Sequence, residues 1–318
     1  MLSINIAASF VDGSTMGLID AGVINRIKMA PEQKDFGWNR LFGAFGFAGG
    51  SLISGLVVQN FPELSVTCYS GIFIVYLACC LGLMVSGWFL FNVKQEKKDS
   101  QEGIASCLLV TLKNADVIIF LCTVFIVGMQ QGVFVYFTTV TLQHLGASHV
   151  MKSLSISFAG ISCIFSIALS TRLIKLFRGT WNALIVSGAS YIIRFLLFAN
   201  ITNPVFGIPI SLFQSFGLGL FIAASVTHVR IFAPEKLQTT LYALMNTMYF
   251  GVGFITASVI GSVVYKTYGS RVLFTSSAIL MAVWTLFLIL YRVVVHVNKR
   301  NIKKEFSSDV IENPAALA

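Results

Sequence analysis

Four charged side chains stand inside or at the rim of long apolar runs: Asp12, Asp20, Arg40 and Arg194. On insertion scales a charge at the bilayer centre costs about 2.5–3.5 kcal/mol, so such a group faces a partner or a wet cavity. Asp12 and Asp20 are separated by about two helical turns and share a face. Arg40 opens the next run and could meet Asp20 near one membrane surface, or simply lead its charge out to that interface. Arg194 lies mid-run with no adjacent acid. Its fixed fork of donors suits a carboxylate, a phosphate or sugar hydroxyls; the alternative is a structural partner among helix carbonyls or an acid on another helix. Gln130, Gln131, Gln214 and Asn246, with Tyr136 and Tyr249, are polar groups in apolar surroundings. Buried amides must bond either to neighbouring helices or to a ligand. This is chemistry for holding a solute or an ion.

Covalent and metal chemistry lack the residues they need. No Ser–His–Asp or Cys–His set stands out. The histidines (His144, His149, His228, His296) are isolated from one another and from carboxylates at ligand spacing, so no metal, no cofactor and no enzyme activity is expected. Cys68, Cys79, Cys80, Cys107, Cys122 and Cys163 lie mostly in apolar stretches without ligand or disulfide spacing, and read as small packing residues.

The elements that must carry these groups are membrane helices. The 318 residues are 56% hydrophobic and 11% charged, with a mean hydropathy of +0.82, whereas a soluble chain carries about 25% charged residues. Nine apolar runs are long enough to cross a bilayer: 3–24, 41–60, 67–92, 116–141, 153–176, 181–199, 205–231, 239–264 and 272–296. Pro and Asn punctuate the gaps, as at Asn60-Phe61-Pro62 and Asn203-Pro204. A β-barrel would need strict alternation, which runs such as Ile118-Ile119-Phe120-Leu121 lack. The expected class is all-α, a polytopic transmembrane bundle. The paired glycines Gly217-Gly219 and Gly251-Gly253 and the string Gly43, Gly46, Gly49, Gly50 read as close helix contacts and hinges, since no βαβ context supports a nucleotide site.

The net charge of +9 does not mark a nucleic-acid binder, because the basic residues are spread between apolar runs instead of crowding one polar surface. Apart from Lys152, Lys266, Arg271 and Arg194, every Lys and Arg falls in alternate connections or the tail. Those connections therefore face the cytoplasm, and the tail lies inside. Met1 then falls outside, which is odd for a first span that carries two acids and no basic flank. The expectation is an incomplete or alternatively started product, with spans missing before residue 1. Residues 1–93 form a partial first half, 94–114 a cytoplasmic linker, 115–297 a six-helix half and 298–318 a cytoplasmic tail. Repeated halves around a midplane site are common in secondary carriers.

Specific motifs point the same way. The acid in Leu18-Ile19-Asp20-Ala21, then Phe36-Gly37-Trp38-Asn39-Arg40-Leu41-Phe42-Gly43-Ala44-Phe45-Gly46-Phe47, and Leu145-Gly146-Ala147-Ser148 occur in order. Tyr191-Ile192-Ile193-Arg194-Phe195-Leu196-Leu197 follows, then Ala233-Pro234 with Leu241-Tyr242 through Tyr249-Phe250-Gly251-Val252-Gly253. In this series the chain resembles the lactose-permease-like branch of the major facilitator superfamily, and within it the animal proteins called major facilitator superfamily domain-containing protein 6. The resemblance implies that the nine spans are helices four to twelve of twelve, that Asp20 and Arg40 pair in a substrate cavity, and that mid-helix residues of the seventh helix line it. It also carries departures. The His and Glu that sugar–proton symporters of this branch use in their tenth helix fall near Gln214 and Gly217, which carry no proton. Thr171 to Gly179 is a loose form of the superfamily's basic gating motif without its acid.

The expected function is a secondary transporter of a small polar solute working by alternating access in the lipid bilayer. Its substrate-binding or coupling residues would be Asp20, Arg40, Arg194, Asp12, Gln130, Gln131, Gln214 and Asn246. Protons are the default coupling species, weakened by Gln214 and Gly217. The competing readings are a non-transporting membrane receptor or scaffold and an inactive truncated carrier. Plasma membrane and endomembranes fit equally.

Overall fold

In hydrocarbon every backbone N–H and C=O must be satisfied within the chain, so an open apolar segment folds as a helix. The computed structural model describes residues 36–60, 76–78, 80–82, 84–85 and 113–312. Among the described residues there is no strand, and six helical stretches are long and apolar enough to cross a membrane. The fold is an all-α bundle. The expected span 3–24 lies outside the described residues, as does the linker 94–112, and 67–92 is described at three short helical pieces.

The first helix, α1 (Phe36–Asn60), carries Arg40 in its opening turns. Helix α2 (Ala115–His144) starts where Asn114 Oδ1 accepts the Asp116 N–H at 3.0 Å, an Asx cap of the usual kind. It stops at Gly146, whose φ of 81° lets the Gly146 and Ala147 N–H groups turn back to the Gln143 and Leu142 carbonyls. Ser148 then caps α3 (His149–Ala168) by accepting from the Met151 N–H at 3.2 Å. The Leu-Gly-Ala-Ser sequence is thus a stop and a start joined.

The expected span 153–176 needs correcting. The run breaks at Leu169, and a separate short helix, α4 (Ser170–Leu176), follows it. Arg178 and Gly179, with φ of 58° and 132°, make the next turn and lead into α5 (Thr180–Ala199).

The run expected as 205–231 is a helix of changing pitch. A 3₁₀ turn at Pro204–Phe206 leads to α6 (Gly207–Ser211), then a π segment at Ser215–Gly219, then α7 (Leu220–Phe232). The next run repeats the device: α8 (Glu235–Asn246) passes through a π segment at Thr247–Gly253 into α9 (Phe254–Glu312). Helix α9 is folded at Gly269, where φ is 84° and ψ 177°. The membrane-length stretch Thr240–Val295 is therefore two passes, as the separate runs 239–264 and 272–296 anticipate.

Only glycine adopts the backbone of residue 269 without strain. No atom lies within 4 Å of a Cβ placed there, so the effect of a side chain would be purely conformational. Gly269→Ala should lower stability by about 1–3 kcal/mol, read as a reduced thermal midpoint of the purified protein in detergent.

Packing is aromatic. Phe120, Phe134, Phe195, Phe198 and Phe274 are buried, while Phe165, Val263 and Leu286 point outward, as a lipid-facing surface requires. The glycine contacts fall partly where expected. A Cβ on Gly253 would sit 2.9 Å from the Gly128 carbonyl carbon, so α2 and the second π segment touch backbone to backbone. Gly219 abuts Ser166 and the Cys163 carbonyl. At Gly43, Gly46, Gly49 and Gly50 no described atom lies within 4 Å of a Cβ. Helix α1 instead meets α3 through Ala48 and Gly55, against Gly160 and Ser153, and the Ser157 hydroxyl donates to the Ala48 carbonyl at 2.9 Å.

At the end of the bundle where α2 and α5 begin, four elements are tied by polar and ring contacts. His228 Nδ1 and Thr180 Oγ1 share a hydrogen bond at 3.0 Å, and the imidazole packs 4.9 Å from Phe120 and 4.8 Å from Trp181. The Tyr291 hydroxyl donates to Asp116 Oδ1 at 2.6 Å.

Candidate functional site

Helix α5 presents Tyr191, Arg194, Phe195 and Phe198 inward, and Ile193, Leu196 and Leu197 outward. That spacing puts the arginine on the buried stripe of an otherwise ordinary apolar helix. Arg194 is 1% exposed. Its guanidinium carbon lies 4.1 Å from the centre of the Phe134 ring, 4.6 Å from that of Tyr191 and 5.2 Å from that of Phe195. Desolvated contacts of this kind are worth about 2 kcal/mol or more. Tyr191, Tyr249 and Cys163 carry the polar atoms that act electrostatically on the charge. None of the three guanidinium nitrogens is in a hydrogen bond.

Around the arginine runs a chain of amides and hydroxyls. Gln131 Oε1 accepts from the Tyr191 hydroxyl at 3.1 Å and from Gln214 Nε2 at 3.0 Å. This single oxygen joins α2, α5 and the helix end just before the first π segment. Gln130, its neighbour in sequence, turns away and donates from Nε2 to the Ser277 carbonyl of α9 at 3.1 Å. Gln214 Oε1, Gln130 Oε1 and the Tyr249 hydroxyl have no partner.

The first π segment explains why so many small polar side chains gather here. Widening the helix disturbs the regular i→i−4 ladder and leaves carbonyls in need of other donors. The Ser187 hydroxyl donates to the Gly217 carbonyl at 2.6 Å, Ser190 to that of Phe213 at 2.8 Å and Cys163 to that of Gln214 at 3.5 Å. Asn246 closes α8 and is 2% exposed. With Ser225, Met245, Phe221 and Tyr249 it lines a cleft of about 10 Å³, room for about one water.

Of the eight residues singled out from sequence, the structure joins Gln131 and Gln214 directly and brings Arg194 to them through Tyr191. Gln130 and Asn246 stand on the flanks. Arg40 is placed on the backbone of α1, and Asp12 and Asp20 lie outside the described residues. Sequence reasoning missed the part played by Tyr191. Its spacing three residues before Arg194, hence on the same face, was the available signal. Among the described residues no group of His, Cys, Asp or Glu could hold a metal.

Gln131 can be tested directly. Gln131→Leu strips the acceptor from two buried donors. Interhelical hydrogen bonds in membranes are worth about 0.6 kcal/mol on average and up to about 1.7, so a loss of about 1–3 kcal/mol is expected. Denaturation of the purified protein in detergent measures it.

A bundle of apolar, membrane-length helices enclosing a charged and amide-rich centre defines a class, the multi-pass membrane proteins. The family model described as the MFS_1 like family matches residues 1–276. The chain belongs to that family, within the major facilitator superfamily, and is thereby an integral, multi-pass membrane protein of a transporter family. No curated protein matches the chain.

Proposed function

We propose that the protein is a secondary carrier of a small polar solute, moved by alternating access between a bundle within 1–93 and a bundle within 115–297. One observation carries this reading: Arg194 is fully buried within the second bundle with no hydrogen-bond partner among the described residues. A structural arginine would be expected to have its donors satisfied within the fold. A ligand-binding one holds them in reserve.

Within the superfamily, the motifs around Arg40, Asp20, Gly146, Arg194 and Tyr249 favour the lactose-permease-like branch and its animal domain-containing protein 6 members. The placement of Lys and Arg favours a cytoplasmic tail and a cytoplasmic start for α2. Proton coupling through the tenth-helix positions is disfavoured. Gln214 is bonded to Gln131, and Gly217 packs on the Tyr191 ring. Asp12 and Asp20 are acids within the spans that could carry a coupled proton instead.

The test is uptake of radiolabelled solutes from a broad panel into proteoliposomes holding the purified full-length chain. Uptake that collapses in Arg194→Gln and Asp20→Asn supports the carrier. A protein that takes up no solute, yet retains a protein partner through both substitutions, is a receptor or scaffold instead.

A further inference from the structure

The centre around Arg194 has more free donors than free acceptors. All the guanidinium nitrogens are unpartnered, and so is the Tyr249 hydroxyl. The Tyr191 hydroxyl and Gln214 Nε2 already give their protons to Gln131, and Gln130 Nε2 gives one to Ser277. The acceptors left over are the side-chain oxygens of Gln214 and Gln130, with the hydroxyl oxygens of Tyr249 and Ser225, each of which is also a donor, so the five guanidinium N–H groups keep donors in excess. Among the described residues, no carboxylate is among the groups that act on the Arg194 charge. Phe134, Tyr191 and Phe195 attract that charge, but rings offer no lone pair to its in-plane N–H groups.

A neutral polyol brings donors and acceptors together and no charge, so it would leave both the surplus of donors and the cation uncompensated. A carboxylate brings a negative charge and two oxygens whose spacing matches the guanidinium fork. The aromatic walls then suit an apolar body behind the head group. We propose that the solute is a small monocarboxylate, held by Arg194 as a two-point anion site with the Tyr249 hydroxyl as a further donor. This deepens the carrier reading and rests on it.

The test uses matched acid and amide pairs on the purified full-length chain in detergent: benzoate against benzamide and acetate against acetamide, with sodium chloride and inorganic phosphate at equal ionic strength. At millimolar concentration at least one acid should raise the thermal midpoint by a few degrees, while its amide does not. The shift should vanish in Arg194→Met and shrink in Arg194→Lys, which keeps the charge and loses the fork. If Arg194→Met fails to fold, the acid–amide contrast on the native chain decides. Equal shifts from acid and amide, a shift that survives Arg194→Met, or no shift from either acid overturns the proposal. A shift that chloride or phosphate reproduces, with nothing added by the carboxylate, assigns the site to an inorganic anion and also overturns it. The two layers fail separately. Uptake of a neutral solute without any response to carboxylates removes the anion and keeps the carrier; binding of a carboxylate without uptake removes the carrier and keeps the site.

Discussion

Arg194→Met will silence uptake and at the same time make the empty protein more stable. The guanidinium is fully buried, with every nitrogen unpartnered and rings for neighbours. Replacing buried ionic groups by apolar side chains of similar size commonly stabilises a protein by about 1–4 kcal/mol, because the desolvation penalty goes with the charge. Met fills much of the same volume among Phe134, Tyr191 and Phe195. The thermal midpoint without solute should therefore rise. Binding moves the opposite way. A hydrogen bond to a charged group is worth about 1.5–3 kcal/mol, so apparent affinity should fall by about 10- to 100-fold. A gain in stability paired with loss of function separates a poised binding group from a structural one. A fall in midpoint would mean that the resting fold already compensates the charge.

Gly160→Leu will hold open the seam between α1 and α3. A Cβ at residue 160 would already stand 2.9 Å from the Ala48 Cβ and 3.1 Å from its Cα, so a branched side chain has nowhere to go. Gly55 meets the Ser153 hydroxyl more closely still, about two helical turns further along the same face. This contact joins the two proposed bundles, and alternating access requires it to part and re-form. Overpacking costs about 1–3 kcal/mol, enough to shift a two-state balance by about 5- to 150-fold. Transport should drop accordingly. Ser157, buried and bonded to the Ala48 carbonyl, supplies the reporter. Ser157→Cys alone should react slowly with a membrane-impermeant maleimide, and quickly when Gly160→Leu accompanies it. Equally slow reaction in both would place the moving seam elsewhere.

Much of this architecture is legible in the sequence because the bilayer imposes a simple rule on length and polarity. Three runs, 41–60, 116–141 and 181–199, correspond to helices of the structure within a few residues, and 239–264 and 272–296 fall in the stretch Thr240–Val295 that folds at Gly269. The break at Leu169 was not legible, since an apolar run continues through it and only the local backbone, with φ of −92° and ψ of 4°, marks it. The π segments were equally hidden. Their glycines, Gly217, Gly219, Gly251 and Gly253, announce close contacts, but which helix widens depends on side chains from elsewhere, such as Ser187 and Cys163, that take up the displaced carbonyls. For the site, polarity in an apolar run marked Arg194, Gln131 and Gln214 without showing which of them touch. The division of labour between Gln130 and Gln131 follows from the helical turn of about 100° per residue, yet its outcome depends on neighbours that lie far away in sequence.

The account as a whole turns on whether Arg194 borders a passage that solute can enter. A single cysteine at that position, Arg194→Cys, in a chain whose native cysteines are replaced by serine, can be probed in oriented vesicles with a membrane-impermeant thiol reagent applied to each face. The account predicts reaction from at least one face, slowed when transported solute is present. Failure to react from either face, with and without solute, would show Arg194 to be sealed in a dry core and would contradict it.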